Sequence, residues 1–354
     1  MNSPYIASQD DRILVTGSNG FIGAKVVETL LEYGFTNLRC FIRPFSRLDR
    51  LNDRLSRFQA GKHVELVSGD LLSPDDCRQA ADGVSIIYHL AAGIEKSFAG
   101  AFMNSALATR NLMDAFLKSG QPKRFVNVSS FAVYSNLKLK RGALLDETSP
   151  LEEAPQERFD AYGFGKLKQD ELVREYGDKY KLPYVILRPG YVFGPGKTDL
   201  SGRVGISTFG FFIQVGGSNC LPLAFVDNCA EAIVLAGLKP GIEGEVFNVV
   251  DDELLTSRQF LRLYKKRVNR FSVRIPYLVA HVLSLLWEKY SKWSKGQLPP
   301  AFNRRRCAAE WKGQRFSNQK LKDRLGWKPR VPMGEAMQAF LGQFESSSDR
   351  GLCG

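Results

Sequence analysis

The chain has 354 residues, 44% hydrophobic and 24% charged, with a formal net charge of +12. This is the composition of a globular protein able to bury a substantial core in one large domain or two. Three dispersed histidines and six cysteines without CxxC spacing exclude a metal site and a disulfide framework, and no apolar run nears the roughly 20 residues of a spanning helix. Met1–Asp11 is polar and lacks the apolar core of a signal peptide, so a cytoplasmic protein is expected.

Ile13-Leu14-Val15 predicts a strand over 12–16, followed by Thr16-Gly17-Ser18-Asn19-Gly20-Phe21-Ile22-Gly23 and a helix over 21–33. Glycines at such a strand end let the backbone approach a pyrophosphate, and the helix N-terminus supplies N–H groups with partial positive charge. A strand over 38–42 ends in Cys40-Phe41-Ile42-Arg43, with Ser46 and Arg47 close by. A carboxylate at that strand end would accept from the ribose hydroxyls of NAD. Here two guanidiniums stand instead, which favours the 2′-phosphate of NADP. The alternative has Arg43 stacked on the adenine of NAD.

Strands over 64–68, 85–90, 124–129 and 184–188 alternate with helices over 74–81, 104–118 and 162–176. Their continuous apolar runs suit parallel strands covered on both faces, an α/β architecture. Asp70 and Leu71 follow the third strand, Leu90-Ala91-Ala92 the fourth, and Ser129-Ser130 the fifth. Tyr162 and Lys166 share one helix face. A free tyrosine, with a pKa near 10, is a poor base, but a neighbouring ammonium favours its phenolate. Beyond Pro189 the pattern breaks into glycine-rich sequence from Gly190 to Gly217, then a helix from about Asn228 and a strand at 246–250.

The spacing of Gly17, Gly20 and Gly23 resembles the extended short-chain dehydrogenase/reductase family, the epimerase/dehydratase group. Further stretches follow in that family's order from 12 to 330: Gly69-Asp70-Leu71, His89-Leu90-Ala91-Ala92, Val128-Ser129-Ser130, Tyr162 with Lys166, Leu187-Arg188-Pro189-Gly190 and Phe225-Val226-Asp227. The resemblance implies a Rossmann-type doubly wound parallel sheet. Residues 1–190 would mainly bind NAD(P), and 191–354 would mainly form a smaller substrate lobe, with some segments returning to the first domain. It implies that Tyr162 exchanges the proton of a substrate hydroxyl and that Ser130 orients the reacting oxygen. Lys166 would also hold the ribose hydroxyls. Gly17, Asn19, Gly20, Phe21, Ile22, Gly23, Arg43, Asp70, Leu71, Leu90, Ala91, Ala92, Ser129, Pro189 and Val192 would line the cofactor, Asp70 at the adenine and Pro189 to Val192 at the nicotinamide. One departure is Ser105, which stands where the family commonly has an asparagine, one residue from Asn104.

For the substrate, Leu221-Pro222-Leu223 before Phe225-Val226-Asp227-Asn228 resembles the 3β-hydroxysteroid dehydrogenase branch, and Phe209, Phe211, Phe212 and Ile213 would suit an apolar pocket or a buried helix. This favours hydride transfer at a CH–OH or C=O carbon of an alicyclic, steroid-like substrate. The alternative is a nucleotide-sugar epimerase or dehydratase, with Arg304-Arg305-Arg306, Lys312 and Arg315 clamping a diphosphate. A non-catalytic dinucleotide sensor is the remote reading. The span from Ser257 to Arg330 holds 20 of the 49 lysines and arginines but only 3 of the 37 acids. Without a recognised binding motif this is no nucleic-acid signal. Within it, residues 271–295 combine an apolar run with flanking cations, which suits either a peripheral membrane contact or a helix packed on the lobe. The resemblance also implies a homodimer through two helices.

Overall fold

A computed structural model of the chain describes residues 4–344 apart from 94, 121, 209, 210 and 296. Seven parallel strands form its centre, in the order 246–249, 184–189, 124–128, 84–89, 12–16, 38–42 and 65–68. Successive side chains leave a strand on opposite faces, and both faces here are cores. Ile13, Val15, Ile86, Val126 and Val185 point one way, onto helices Phe21–Glu32 and Val226–Leu238. Leu14, Ile87, Phe125 and Ile186 point the other way, onto helices Pro74–Ala81, Ala108–Lys118 and Ala161–Tyr180. Strand order reverses between 12–16 and 84–89, the switch point at which such sheets take ligands.

Helix 161–180 begins where Asp160 accepts from the Gly163 amide at 2.8 Å. Its neighbour starts earlier than 104, at Phe98, and widens into a π-helical turn over Phe102–Leu107 before resuming as Ala108–Lys118. The two helices touch so closely that a Cβ on Gly165 would lie 3.0 Å from the Ala101 carbonyl oxygen.

The glycine-rich stretch read as irregular contains strands Tyr191–Phe193, Gly205–Thr208 and Phe211–Val215. The last pairs with 205–208 and with Ser272–Ile275, so the aromatic run is a strand and not a buried helix. Phe212 is buried in a third core with Phe193, Phe225, Phe260 and Phe340 and is absent from the walls of the three cavities at the C-terminal strand ends. Ile213 packs beside Val215 and Trp311. Phe209 lies outside the described residues. Strand 246–249 and helix 226–238, late in sequence, return to the large sheet.

Candidate active site

Three adjoining cavities run across the C-terminal ends of the strands. The first, of about 280 Å³, has Gly17, Asn19 and Gly20 on one wall, Arg43, Asp70 and Leu71 on another, and Leu90, Ala91 and Ala92 on a third. The second, of about 470 Å³, continues past Phe21, Ile22 and Gly23 to Ser129, Ser130, Tyr162, Lys166, Pro189 and Val192. The third, of about 550 Å³, shares Ser130, Tyr162, Gly190 and Tyr191 with the second and reaches Arg158, Arg203 and Arg306. Apart from Arg47, the residues singled out above as catalytic or cofactor-binding therefore meet on one groove.

The first two cavities fit a dinucleotide. Gly17 has φ of +68°, and a Cβ there would come within 2.9 Å of the Ala91 nitrogen. Helix 21–32 opens at Gly20 with no side-chain cap and no acid in its first turn, leaving its N–H groups to an anion. Arg43 is exposed on the wall, whereas Arg47 contributes only its carbonyl, which accepts from Asn19 Nδ2 at 3.3 Å. Asp70 serves the turn as well as the wall, because Oδ1 accepts from the Leu72 amide at 2.9 Å.

Ser130 Oγ accepts from the Ala132 amide at 3.2 Å, and Ser130 lines both the second and the third cavity together with Tyr162. Burial pushes the Tyr162 phenol above its ordinary pKa, the nearby Ser130 hydroxyl opposes that, and Asp160 adds to it. Lys166 donates to the Val128 carbonyl at 2.6 Å and to Gln169 Oε1 at 3.0 Å. Burial lowers its pKa to about 8, against the attraction of Asp170.

Gln169 was not singled out from sequence, yet it links Lys166 to a buried polar chain. Its Nε2 donates to Thr109 Oγ1 at 2.7 Å, and Thr109 in turn donates to the Ser105 carbonyl at 2.6 Å. His89 joins the same chain, its Nε2 2.9 Å from Thr109 Oγ1 and 3.1 Å from Gln169 Nε2 and its Nδ1 2.8 Å from Thr16 Oγ1. Burial, and then Lys166, holds the His89 pKa down to about 3, so the ring is neutral. Ser105 Oγ accepts from Gly93, and Asn104 donates to Glu95, so neither contacts Lys166. The asparagine position is thus not used to hold the lysine; Gln169, one helical turn beyond it, does so. The i, i+3 spacing of Lys166 and Gln169 was the available signal. Gln169→Leu is expected to lower the unfolding free energy by about 1–3 kcal/mol, the cost of orphaning buried polar partners, measured by urea titration. An unchanged midpoint would show that the chain of bonds relaxes.

Lys197 was also not singled out. It lines the second cavity, its ammonium 5.9 Å from the Phe21 ring and 5.6 Å from that of Tyr191. The C-terminal cations correct another expectation. Arg304 pairs with Glu288, Arg305 with Glu152 and Glu157, Lys312 donates to the Asn136 and Leu137 carbonyls, and Arg315 donates to Gly142. Of the five, only Arg306 lines the third cavity, because helix Arg304–Trp311 turns its other arginines onto neighbouring segments.

The family described as the NAD dependent epimerase/dehydratase family matches over residues 13–249. Among characterised proteins, the chain is similar to sterol-4-alpha-carboxylate 3-dehydrogenase, decarboxylating, of Mus musculus, with 26% identity across 95% of this chain and 92% of the mouse protein. It is also similar to 3beta-hydroxysteroid-dehydrogenase/decarboxylase isoform 2 of Arabidopsis thaliana, with 24% identity across 97% of this chain; the match spans 63% of the plant protein. In fold it resembles the crystal structure of the UDP-glucose 4-epimerase of Thermus thermophilus complexed with NAD, with a TM-score of 0.67, 20% identity, and coverage of 95% and 99% of the two chains.

Proposed function

The chain belongs to the NAD-dependent epimerase/dehydratase family, and from that premise we propose that it is an NADP-preferring oxidoreductase acting on a secondary alcohol or ketone of an alicyclic, sterol-like substrate. The bound dinucleotide supplies the hydride acceptor or donor. Gly17, Gly20 and the N-terminus of helix 21–32 would hold its pyrophosphate, Lys166 its ribose and Arg43 its adenosine end. Tyr162 and Ser130 stand at the boundary between the second and third cavities, where both reach one substrate oxygen. Because the phenol keeps its proton at neutral pH, Tyr162 is set to give that proton to a carbonyl oxygen. In the reverse direction it must first lose it.

The observation that carries the substrate class is the state of the cations in the third cavity. Arg158 donates to the Tyr134 and Ala132 carbonyls and to Asp160, and Arg203 donates to Ala309. Both are occupied by the protein itself, while Phe131, Phe159, Tyr191, Ala161 and Ala309 supply apolar wall. Of the cavity's remaining cations, Arg306 donates to the Ala301 carbonyl, so a diphosphate clamp has that arginine and Lys96 to draw on. The similarity to a sterol-4-alpha-carboxylate dehydrogenase supports the same reading. Assay of purified enzyme with NADP and NAD against cyclic secondary alcohols and UDP- or dTDP-sugars tests it. Turnover confined to the sugars would overturn it.

The cofactor preference rests on Arg43 and on the lack of an acid at the end of strand 38–42. Arg43→Ala is expected to weaken NADP binding by about tenfold or more, as for loss of a charge-assisted hydrogen bond, and to leave NAD nearly unaffected. Fluorescence titration measures both. Equal losses would mean that the arginine stacks on adenine without selecting.

A further inference from the structure

Helix Tyr277–Trp293 is oriented against its composition. Its buried residues are Ala280, Ser284 and Ser291, small or polar. Ser284 donates to the His281 carbonyl at 2.7 Å and Ser291 to the Leu298 carbonyl at 2.6 Å, so the inward face is hydrogen-bonded and needs no larger side chains. Leu278, Val279, Val282, Leu283, Leu286, Tyr290 and Trp293 lie on the opposite face, exposed, with Leu278 at 71% and Trp293 at 77%. At 100° per residue they form one stripe along the helix. A helix packed on the lobe by its apolar side would show the reverse.

Charge identifies what covers this stripe. Exposed Lys289, Lys292 and Lys295 edge it. The helix's one acid, Glu288, is paired with Arg304 at 2.6 Å. Tyr290 and Trp293 stack at 5.6 Å near its end, and Trp287 Nε1 donates to the Pro299 carbonyl, leaving amphipathic rings where a headgroup layer would lie. Among the described residues no helix is long and apolar enough to cross a membrane. A second copy docked by the same helix would offer these lysines one carboxylate, Glu288, which is already paired with Arg304. We propose that helix 277–293 lies flat in the surface of an anionic phospholipid bilayer, its apolar stripe among the acyl chains and its lysines at the headgroups.

The position also has a consequence for substrate access. Helix 304–311 packs Cys307 and Trp311 against Ala280 and presents Arg306, Ala309 and Glu310 to the third cavity. One helix thus separates the lipid-facing surface from the cavity that adjoins Tyr162, a short route for a substrate drawn from the bilayer.

Flotation of the purified chain with vesicles of phosphatidylglycerol and phosphatidylcholine tests the proposal. Binding is expected at low ionic strength, weaker on phosphatidylcholine alone and weaker at high salt. Leu286→Glu with Trp293→Glu should reduce partition by about tenfold or more, and Lys289→Glu with Lys292→Glu should reduce binding to the anionic vesicles alone. Unchanged dinucleotide affinity and circular dichroism certify that the variants are folded. Absence of wild-type flotation, or flotation insensitive to the first pair, would overturn the proposal. So would a dimer in analytical ultracentrifugation that the same pair dissociates, which would assign the stripe to a second copy.

Discussion

Tyr162→Phe is expected to lower turnover by about a hundredfold or more, the range for losing a general acid or base, while dinucleotide affinity stays near the wild-type value. Phenylalanine keeps the ring and so the shape of the cavity wall, and removes the hydroxyl near Ser130. The pH dependence has a defined sign. Burial and Asp160, opposed by Ser130, hold the phenol above its usual range, so ketone reduction has its proton available at neutral pH and alcohol oxidation gains rate as pH rises. That rise should be absent from the residual activity of the variant. Lys166→Ala differs in kind: it leaves the Val128 carbonyl and Gln169 without their donor, and both affinity and turnover should fall. Stopped-flow rates and binding titrations separate the two patterns. Near-normal turnover in Tyr162→Phe would remove this residue from the proton transfer.

The sheet was legible because its central strands are buried on both faces and so read as largely apolar runs, whereas the edge strand 65–68 buries only Val67. Ile13-Leu14-Val15 divides its side chains between two cores, and no polar residue interrupts it. The groove followed, since its parts lie at strand ends that the glycines and the Ser129-Ser130 pair mark in sequence. The C-terminal lobe was much less legible. Strand 211–215 takes its pairing from 272–275, some sixty residues on, and no local pattern encodes that partner. Arg304, Arg305 and Lys312 looked free as a cluster, but Glu288, Glu152 and the Asn136 carbonyl engage them from distant segments. Gln169 was missed because, beyond its bond to Lys166 on the same helix, its value lies in contacts with Thr109 and Ala91, on segments distant in sequence. Helix 277–293 had the composition of a core helix, and composition carries no information about which side faces in.

Gly23→Ala is expected to cost dinucleotide affinity of about a hundredfold, although alanine is the better helix former by roughly 1 kcal/mol. The two effects oppose each other, and geometry decides between them. A Cβ on Gly23 would lie 2.1 Å from the Gly17 carbonyl oxygen, 2.8 Å from its carbon and 3.0 Å from Ser18 Cα. All three are backbone atoms, so no side-chain rotation relieves the clash. The glycine loop must move off the helix N-terminus, and overpacking of that kind costs about 1–3 kcal/mol, which converts to about a hundredfold in affinity at its upper end. Gly334→Ala supplies the control, because that glycine lies in helix Met333–Gly342 with nothing within 4 Å of a built Cβ. There propensity acts alone, and the thermal midpoint should rise slightly with affinity unchanged. Calorimetric titration of both variants with NAD and NADP reads the contrast. If Gly23→Ala binds either dinucleotide as tightly as the wild type, contact between loop and helix does not shape the pyrophosphate site.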